Sequence, residues 1–391
     1  MSATLFDPSA LLPVTIKPNA VMVRGAGSWL WDERGTRYLD FVQGWAVNCL
    51  GHCPEVVQRA LAEQASTLIN PSPGYHSAPA LQLAHALCAQ TGMDQAFFCS
   101  IGAEANEGAI KLARRWGSLQ RGGAFEIITT LGSFHGRTLA TMAASGKPGF
   151  NSIFPPQVPG FVHVPFDDVA AVAAAITERT VAVMVEPIQG EGGVVVPAPD
   201  YLPALRELCD ARGLLLILDE IQTGMGRTGR LLAAQHSGVR PDILTLGKGI
   251  GGGLPLAALL CRREVSVFRP GDQGGTYTGH PVTTAVGYAV LRELTAPGFL
   301  EHVTRAGEHL RAGLAKLGAP YGASPRGVGL LNALVLPAAK GSDIVQAAME
   351  RELLINSPRP ELLRFMPALN VSLAEIDDML SRLADALRAS L

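Results

Sequence analysis

Charge is scarce in this chain: charged residues make up 17% of 391 positions, against about 25% in an ordinary soluble domain. Together with 48% hydrophobic residues, that shortfall excludes a disordered chain, which lacks the apolar surface to offset its ordering entropy. It also leaves room for surface buried between subunits. Neither sign of charge dominates. Lys and Arg total 32 against 34 for Asp and Glu, a net charge of −2, so nothing in the balance attracts nucleic acid or an anionic membrane. Long apolar runs are missing as well. Leu214–Leu218 and Leu254–Cys261 are among the longer ones, far short of the roughly 18 residues a membrane-spanning helix needs. Met1–Pro13 carries Asp7 and no basic segment leading into an apolar one, so a cytoplasmic address is expected. Cysteine is sparse: Cys49, Cys53, Cys88, Cys99, Cys209 and Cys261 stand mostly among apolar neighbours, as reduced packing thiols do. Cys49 and Cys53 flank His52, but no second pair at zinc-finger spacing accompanies them, and no metal is expected. Repeats, low-complexity tracts and charge blocks are absent too.

Glycine, by contrast, is abundant, with 43 residues against a background of about 7%. At roughly 100 to 200 residues per domain the length predicts two or three domains. Strand-length apolar runs recur at Ala96–Cys99, Phe125–Thr130, Phe161–Val164, Val181–Val185, Leu214–Leu218, Ile243–Leu246 and Ala257–Leu260. Between them, Ala103–Gln120, Asp167–Glu178 and Asp200–Arg212 carry apolar residues at helical spacing. This alternation predicts an α/β fold with a mostly parallel sheet flanked by helices. The first 50 residues differ, with a turn-rich Trp29–Tyr38, and helical patterns take over from about Pro281. The expected organisation is therefore an N-terminal segment 1–50 belonging to a smaller α+β domain, a large domain 51–280, and the rest of the small domain in 281–391.

Three of the runs end on a polar residue: Glu186, Asp219 and Lys248. They are spaced by roughly 30 residues, one strand-helix-strand unit, which places all three on the carboxyl edge of the sheet. Lys248 stands in Gly247-Lys248-Gly249-Ile250-Gly251-Gly252-Gly253, where little side-chain bulk surrounds the amine. Partial desolvation there lowers its pKa and frees the lone pair for Schiff-base chemistry. A nucleotide P-loop is the competing reading. It fails because Gly249, not Ser or Thr, follows the lysine and Asp242 occupies the place of the first glycine. Asp219, a carboxylate at the end of an apolar strand, needs a cation, and a protonated pyridine nitrogen is one. Gly102 and Ala103 open a helix whose free amides suit a phosphate. Phe134 can lie on a heteroaromatic ring and Arg137 can bind a carboxylate. Gly224-Met225-Gly226-Arg227-Thr228-Gly229 matches the dinucleotide fingerprint, but Asp219 and Glu220 precede the glycines rather than follow them.

In combination these residues resemble the class III aminotransferases that use pyridoxal phosphate, the acetylornithine aminotransferase subgroup above all. The resemblance is carried almost end to end. It rests on Tyr38-Leu39-Asp40-Phe41, Asn48-Cys49-Leu50-Gly51-His52, Gly102-Ala103-Glu104-Ala105-Asn106-Glu107 and Phe134-His135-Gly136-Arg137-Thr138. It continues through Glu186-Pro187-Ile188-Gln189-Gly190-Glu191-Gly192-Gly193, Asp219-Glu220-Ile221-Gln222-Thr223-Gly224, Leu246-Gly247-Lys248-Gly249, Gly275-Thr276-Tyr277 and Leu363-Arg364-Phe365-Met366-Pro367. It implies the type I fold of pyridoxal-phosphate-dependent transferases, with Lys248 holding the cofactor covalently and then moving protons. Asp219 would keep the ring nitrogen protonated and Gln222 would bond the phenolic oxygen. Gly102 and Ala103, after Ile101, would bind the phosphate, Phe134 would stack on the ring, and Glu186 would belong to the cofactor site. Thr276 would reach the phosphate of a neighbouring subunit, making a homodimer with shared active sites.

On the substrate side, Arg137 and Arg364 would bind carboxylates, with Glu191 masking Arg364 when the donor has no carboxylate near the reacting carbon. The implied reaction moves the terminal amino group of N2-acetylornithine, or a similar N-acylated diamino acid, to 2-oxoglutarate, as in arginine biosynthesis. The alternative is another ω-aminotransferase acting on 4-aminobutyrate, ornithine or a related amine. Several positions depart from the family pattern. Ser100-Ile101-Gly102 replaces Asn-Ser-Gly, Gly275 stands where a serine often contacts substrate, Thr278 and His280 replace glycine and asparagine, and Trp45 is bulky for the substrate mouth.

Overall fold

The computed structural model describes residues 8–391. Residues 1–7 of the expected 1–50 segment, and with them most of the stretch bearing on export, lie outside the described residues. The chain begins with an antiparallel meander of Met22–Ala26 (β1), Trp29–Asp32 (β2) and Arg37–Asp40 (β3). Much of the stretch expected to be turn is thus strand. Asp32 confines the turn to a few residues by accepting the amides of Arg34 and Thr36 at 3.0 and 2.8 Å, as turn aspartates do.

The strand-length runs become Gln95–Cys99 (β4), Glu126–Thr130 (β5), Phe161–Val164 (β6), Thr180–Val185 (β7), Leu215–Asp219 (β8), Ile243–Leu246 (β9) and Ala257–Cys261 (β10). They form one seven-stranded sheet in the order β4-β10-β9-β8-β7-β5-β6. β10 runs antiparallel to both neighbours, whereas the pairs from β9 through β6 are parallel. Every residue of β7 and β8 is buried, because helices cover both faces and the strands can be apolar without alternation. Leu215 and Ile217 join the cluster of Ile110 and Ala113 from the helix Gly102–Gln120, while Leu216 and Leu218 join Leu205 from the helix Tyr201–Arg212. Each such buried Leu or Ile contributes about 1.5–3 kcal/mol.

The C-terminal region adds Ser324–Val328 (β11), Leu331–Val335 (β12), Leu353–Leu354 (β13), Asn356–Arg359 (β14) and Leu362–Phe365 (β15). Four of these form an antiparallel sheet ordered β11-β12-β15-β14. The helix Phe299–Gly318 packs on it, and Leu373–Ser390, started by a reciprocal Ser372–Glu375 capping box, packs on that helix and on Gly341–Met349. β13 pairs in parallel with β3, so the two ends of the chain share one sheet. The helix Pro281–Leu294 packs on Glu55–Ala65 and Ala78–Thr91.

The Gly224–Gly229 match does not open a helix; the next element is the short 3-10 turn Ala233–His236. Its arginine is buried instead, with the Arg227 guanidinium donating to the carbonyls of Leu330 and Pro367 at 3.1 and 2.6 Å. A dinucleotide phosphate needs a helix N-terminus at that point, and the dinucleotide reading falls.

Candidate active site

Asp219 ends β8 on a fully buried strand, and the surroundings supply donors for its charge. Its Oδ2 accepts from Asn106 Nδ2 and lies 2.7 Å from His135 Nδ1, while Oδ1 accepts the Ile221 amide at 3.1 Å. Asn106 sits on the helix that follows β4. Thr245 of β9 donates to its Oδ1 at 2.8 Å, which fixes the amide with its NH₂ toward Asp219. Burial alone would depress the His135 pKa, but the bond to Asp219 and the charges of Asp219 and Glu186 raise it. Nδ1 is therefore assigned the proton. His135 Nε2 has no partner among the described residues.

Lys248 is separated from β9 by Gly247 alone and stands at the start of the 3-10 turn Lys248–Gly251. Its φ of +46° is left-handed, a conformation that costs a non-glycine residue roughly 1–2 kcal/mol. Burial pulls the amine below its ordinary pKa and Arg364 adds to this, against opposing attraction from Glu191, Asp219 and Glu186. Glu186, just beyond β7, is pushed up to about 7 by burial, with the Asp219 charge adding to the rise and His135 opposing it. Its oxygens accept the amides of Phe134 and Gly190 at 3.2 and 3.4 Å.

Arg364 of β15 is 1% exposed and its Nη1 lies 2.7 Å from Glu191 Oε1. The same nitrogen donates to Gly190 O at 3.0 Å and Gln222 Oε1 at 3.3 Å. Burial would raise the Glu191 carboxyl, yet Arg364 and Lys248 hold it below its ordinary value. Gln222 is thereby oriented with Oε1 engaged, and its buried Nε2 has no partner among the described residues.

These groups meet around a cavity of about 500 Å³. Ile101, Gly102, Ala103, Phe134, Arg137, Glu186, Glu191, Asp219, Gln222 and Lys248 line it, and Arg364 lies behind Glu191. Trp45, Gly275 and Thr276 do not line it. Trp45 is 53% exposed, and Gly275 and Thr276 lie in an exposed loop. Sequence reasoning missed His135, Asn106 and Thr245 as supports for Asp219, and Val47 and Leu254–Leu256 as cavity wall. His135 and Asn106 stand inside recognised motifs, and the position of Asn106 four residues after Gly102, on the same helix face, was an available signal.

The residues present fit a pyridoxal-type cofactor. An orphaned amide donor at Gln222 and a donor-supported carboxylate at Asp219 face one cavity with an unencumbered lysine. A Cβ on Gly102 would lie 2.7 Å from the Ile221 side chain, so any larger residue at the helix start would have to displace Ile221 from the cavity wall.

The fold and the site define the protein as a type I aminotransferase. Residues 14–387 match the Aminotransferase class-III family, and the chain belongs to it. It is 54% identical over 393 residues to acetylornithine aminotransferase 2 of Bordetella bronchiseptica, covering 100% of this chain and 99% of the relative. It is likewise 54% identical to the acetylornithine aminotransferase of Ralstonia nicotianae, with 98% of each covered. Among solved structures, ornithine aminotransferase of Toxoplasma gondii superposes with a TM-score of 0.93 at 34% identity, covering 98% of this chain and 93% of that one. N-acetylornithine aminotransferase of Stenotrophomonas maltophilia gives 0.84 at 37% identity, with 95% and 96% covered. A second structure of the Toxoplasma enzyme, also at TM-score 0.93 and 34% identity with 98% and 93% covered, is described as showing partial occupancy of PLP at its active site.

Proposed function

We propose that the protein is a pyridoxal-phosphate-dependent aminotransferase that takes the terminal amino group of N2-acetylornithine, or a similar N-acylated diamino acid, and gives it to 2-oxoglutarate. The products are a semialdehyde and glutamate. One observation carries the reading: the Lys248 amine and the Asp219 carboxylate border the same cavity as the Glu191 carboxylate that covers Arg364. The names of the 54%-identical relatives favour acetylornithine. Ornithine is the second reading, favoured by the match to the Toxoplasma enzyme, and rates over an amine panel separate the two.

Lys248, Asp219, Gln222, Phe134, Glu186, Ile101, Gly102 and Ala103 would hold the cofactor, with Thr276 contributed by a second copy of the chain. Bound there, the cofactor supplies an electron-withdrawing ring that carries the amino group and stabilises negative charge at the substrate carbon. Lys248, its pKa lowered by burial, would take a proton from that carbon and deliver it to the cofactor carbon that bears the amino group. Asp219, held by three donors, keeps the ring nitrogen protonated. The Gln222 amide bonds the ring oxygen. Arg137 binds the carboxylate remote from the reacting amine. Glu191 neutralises Arg364 when the donor has no carboxylate there, and frees it for the carboxylate of glutamate. The same reading includes a homodimer, a cytoplasmic location and the division into 1–50, 51–280 and 281–391, the first and last forming the small domain. The β3–β13 pair supports that last point.

The test is the visible spectrum of the purified protein before and after glutamate. A yellow absorption that glutamate bleaches is expected, and Lys248→Ala should cost about 10³-fold or more in turnover. A colourless protein, or a Lys248→Ala variant that keeps colour and turnover, would overturn the assignment.

A further inference from the structure

We propose that Lys147 is a second substrate-binding residue, which with Arg137 grips the carboxylate remote from the reacting amine. The inference rests on the aminotransferase reading and extends its substrate site. Its position is fixed by the end of β5. Gly146 forms a bridge with Leu131, donates its amide to Ser133 Oγ at 3.0 Å and accepts the Gly132 amide at 2.9 Å. A Cβ at 146 would lie 2.1 Å from Thr130 O, so the next residue is delivered from backbone packed directly on the sheet edge. From there the Lys147 ammonium lies 5.5 and 5.4 Å from the ring centroids of Phe134 and Phe150. Arg137 lies over the same two rings at 6.0 and 5.8 Å, and Phe134 and Arg137 line the cavity.

Two like charges on one pair of rings repel each other, and cation–π attraction of about 0.5–1 kcal/mol each does little to offset that. Among the described residues neither cation has a carboxylate partner. The nearby carboxylate whose field Lys147 feels, Glu191, is already paired with Arg364. An anion from outside the chain is therefore the missing member. Both proposed substrates supply it in the same place, since an N-acylated diamino acid and 2-oxoglutarate each carry a carboxylate remote from the carbon where the amino group is exchanged. One two-cation clamp then serves both half-reactions.

The probe is glutarate, an unreactive dicarboxylate, titrated calorimetrically into the holoenzyme. Lys147→Met should weaken binding about tenfold, the scale of one charge-assisted contact at a partly exposed site. Lys147→Arg should stay within about threefold of wild type. KM for glutamate and for the amine donor should rise in Lys147→Met with little change in kcat, and added salt should weaken glutarate binding less than in wild type. Wild-type affinity in Lys147→Met would overturn the proposal. So would a Lys147→Arg variant as weak as Lys147→Met, because packing rather than charge would then be responsible. If the methionine variant does not fold, Lys147→Gln replaces it under the same criteria. Glutarate binding requires no amino transfer. A Lys147-dependent glutarate site in a protein that leaves glutamate untouched would therefore sink the functional reading while leaving the two-cation carboxylate site standing.

Discussion

Nδ1 of His135 lies 2.7 Å from Oδ2 of Asp219, and both side chains are buried. Asn106 completes the arrangement by donating to the same oxygen and to the His135 carbonyl, both at 2.7 Å. A carboxylate at the end of a buried strand is thus stabilised by two side chains from two other elements. His135→Phe would leave Asp219 with Asn106 and one amide. Turnover should fall by about 10- to 100-fold while the cofactor stays attached through Lys248, as read by its absorbance. The pH effect has a definite sign. Because the folded pKa of His135 is raised, its stabilisation is complete below the unfolded value of about 6.5 and is lost as pH rises through the folded one. The melting-temperature gap between wild type and His135→Phe should therefore narrow from about pH 6 to about pH 9. A gap independent of pH contradicts the ion pair.

Glu191 covers Arg364 with a single 2.7 Å contact and is itself only partly buried, with 24% of its side chain exposed, so it can swing away while the arginine stays. Glu191→Ala removes the cover permanently. Single-turnover measurements should show kcat/KM for the terminal-amine donor falling by about tenfold or more, with that for glutamate unchanged or higher. Equal losses on both sides would show that Glu191 serves structure and not substrate exchange.

Gly190 offers a geometric test of the cofactor site. A Cβ at this position would lie 1.7 Å from Gln222 Oε1, a distance no rotamer adjustment of alanine relieves. Gly190→Ala must push Gln222 off its bond to Arg364 and withdraw its free amide from the cavity. Retention of pyridoxal phosphate through dialysis should drop about tenfold, with the melting temperature lowered by a few degrees. Full retention would mean that Gln222 has no part in holding the cofactor.

The seven central strands were legible because fully buried parallel strands are written as uninterrupted apolar runs, as in Val181–Val185 and Leu214–Leu218. Glu186, Asp219 and Lys248 were legible because their strand-end placement follows from that pattern. Strands β11 and β14 were not, since Ser-Pro-Arg-Gly-Val and Asn-Ser-Pro-Arg are half-exposed edges of their sheet with prolines and glycine in place of alternating apolar residues. The antiparallel direction of β10 also escaped, because chain direction within a buried run leaves no periodic trace. Thr245 sits inside an apolar strand and looks like filler until Asn106 is found across from it, a relation between helix and sheet that sequence spacing does not encode.

Glu186 gives the sharpest pH prediction. Burial raises its carboxyl from 4.5 to about 7, so between those values the folded chain binds a proton that the unfolded chain has released. Stability must then fall as pH rises across that interval, the reverse of the usual carboxylate behaviour. Glu186→Gln keeps the shape of the neutral acid and carries no proton to lose. Urea midpoints at about pH 5 and about pH 8 should therefore drop less in Glu186→Gln than in wild type, the remaining decline belonging to His135 and to Glu220, whose carboxyl burial also pushes up to about 7. Parallel declines in the two proteins would show that Glu186 is ionised throughout and that burial does not control its charge.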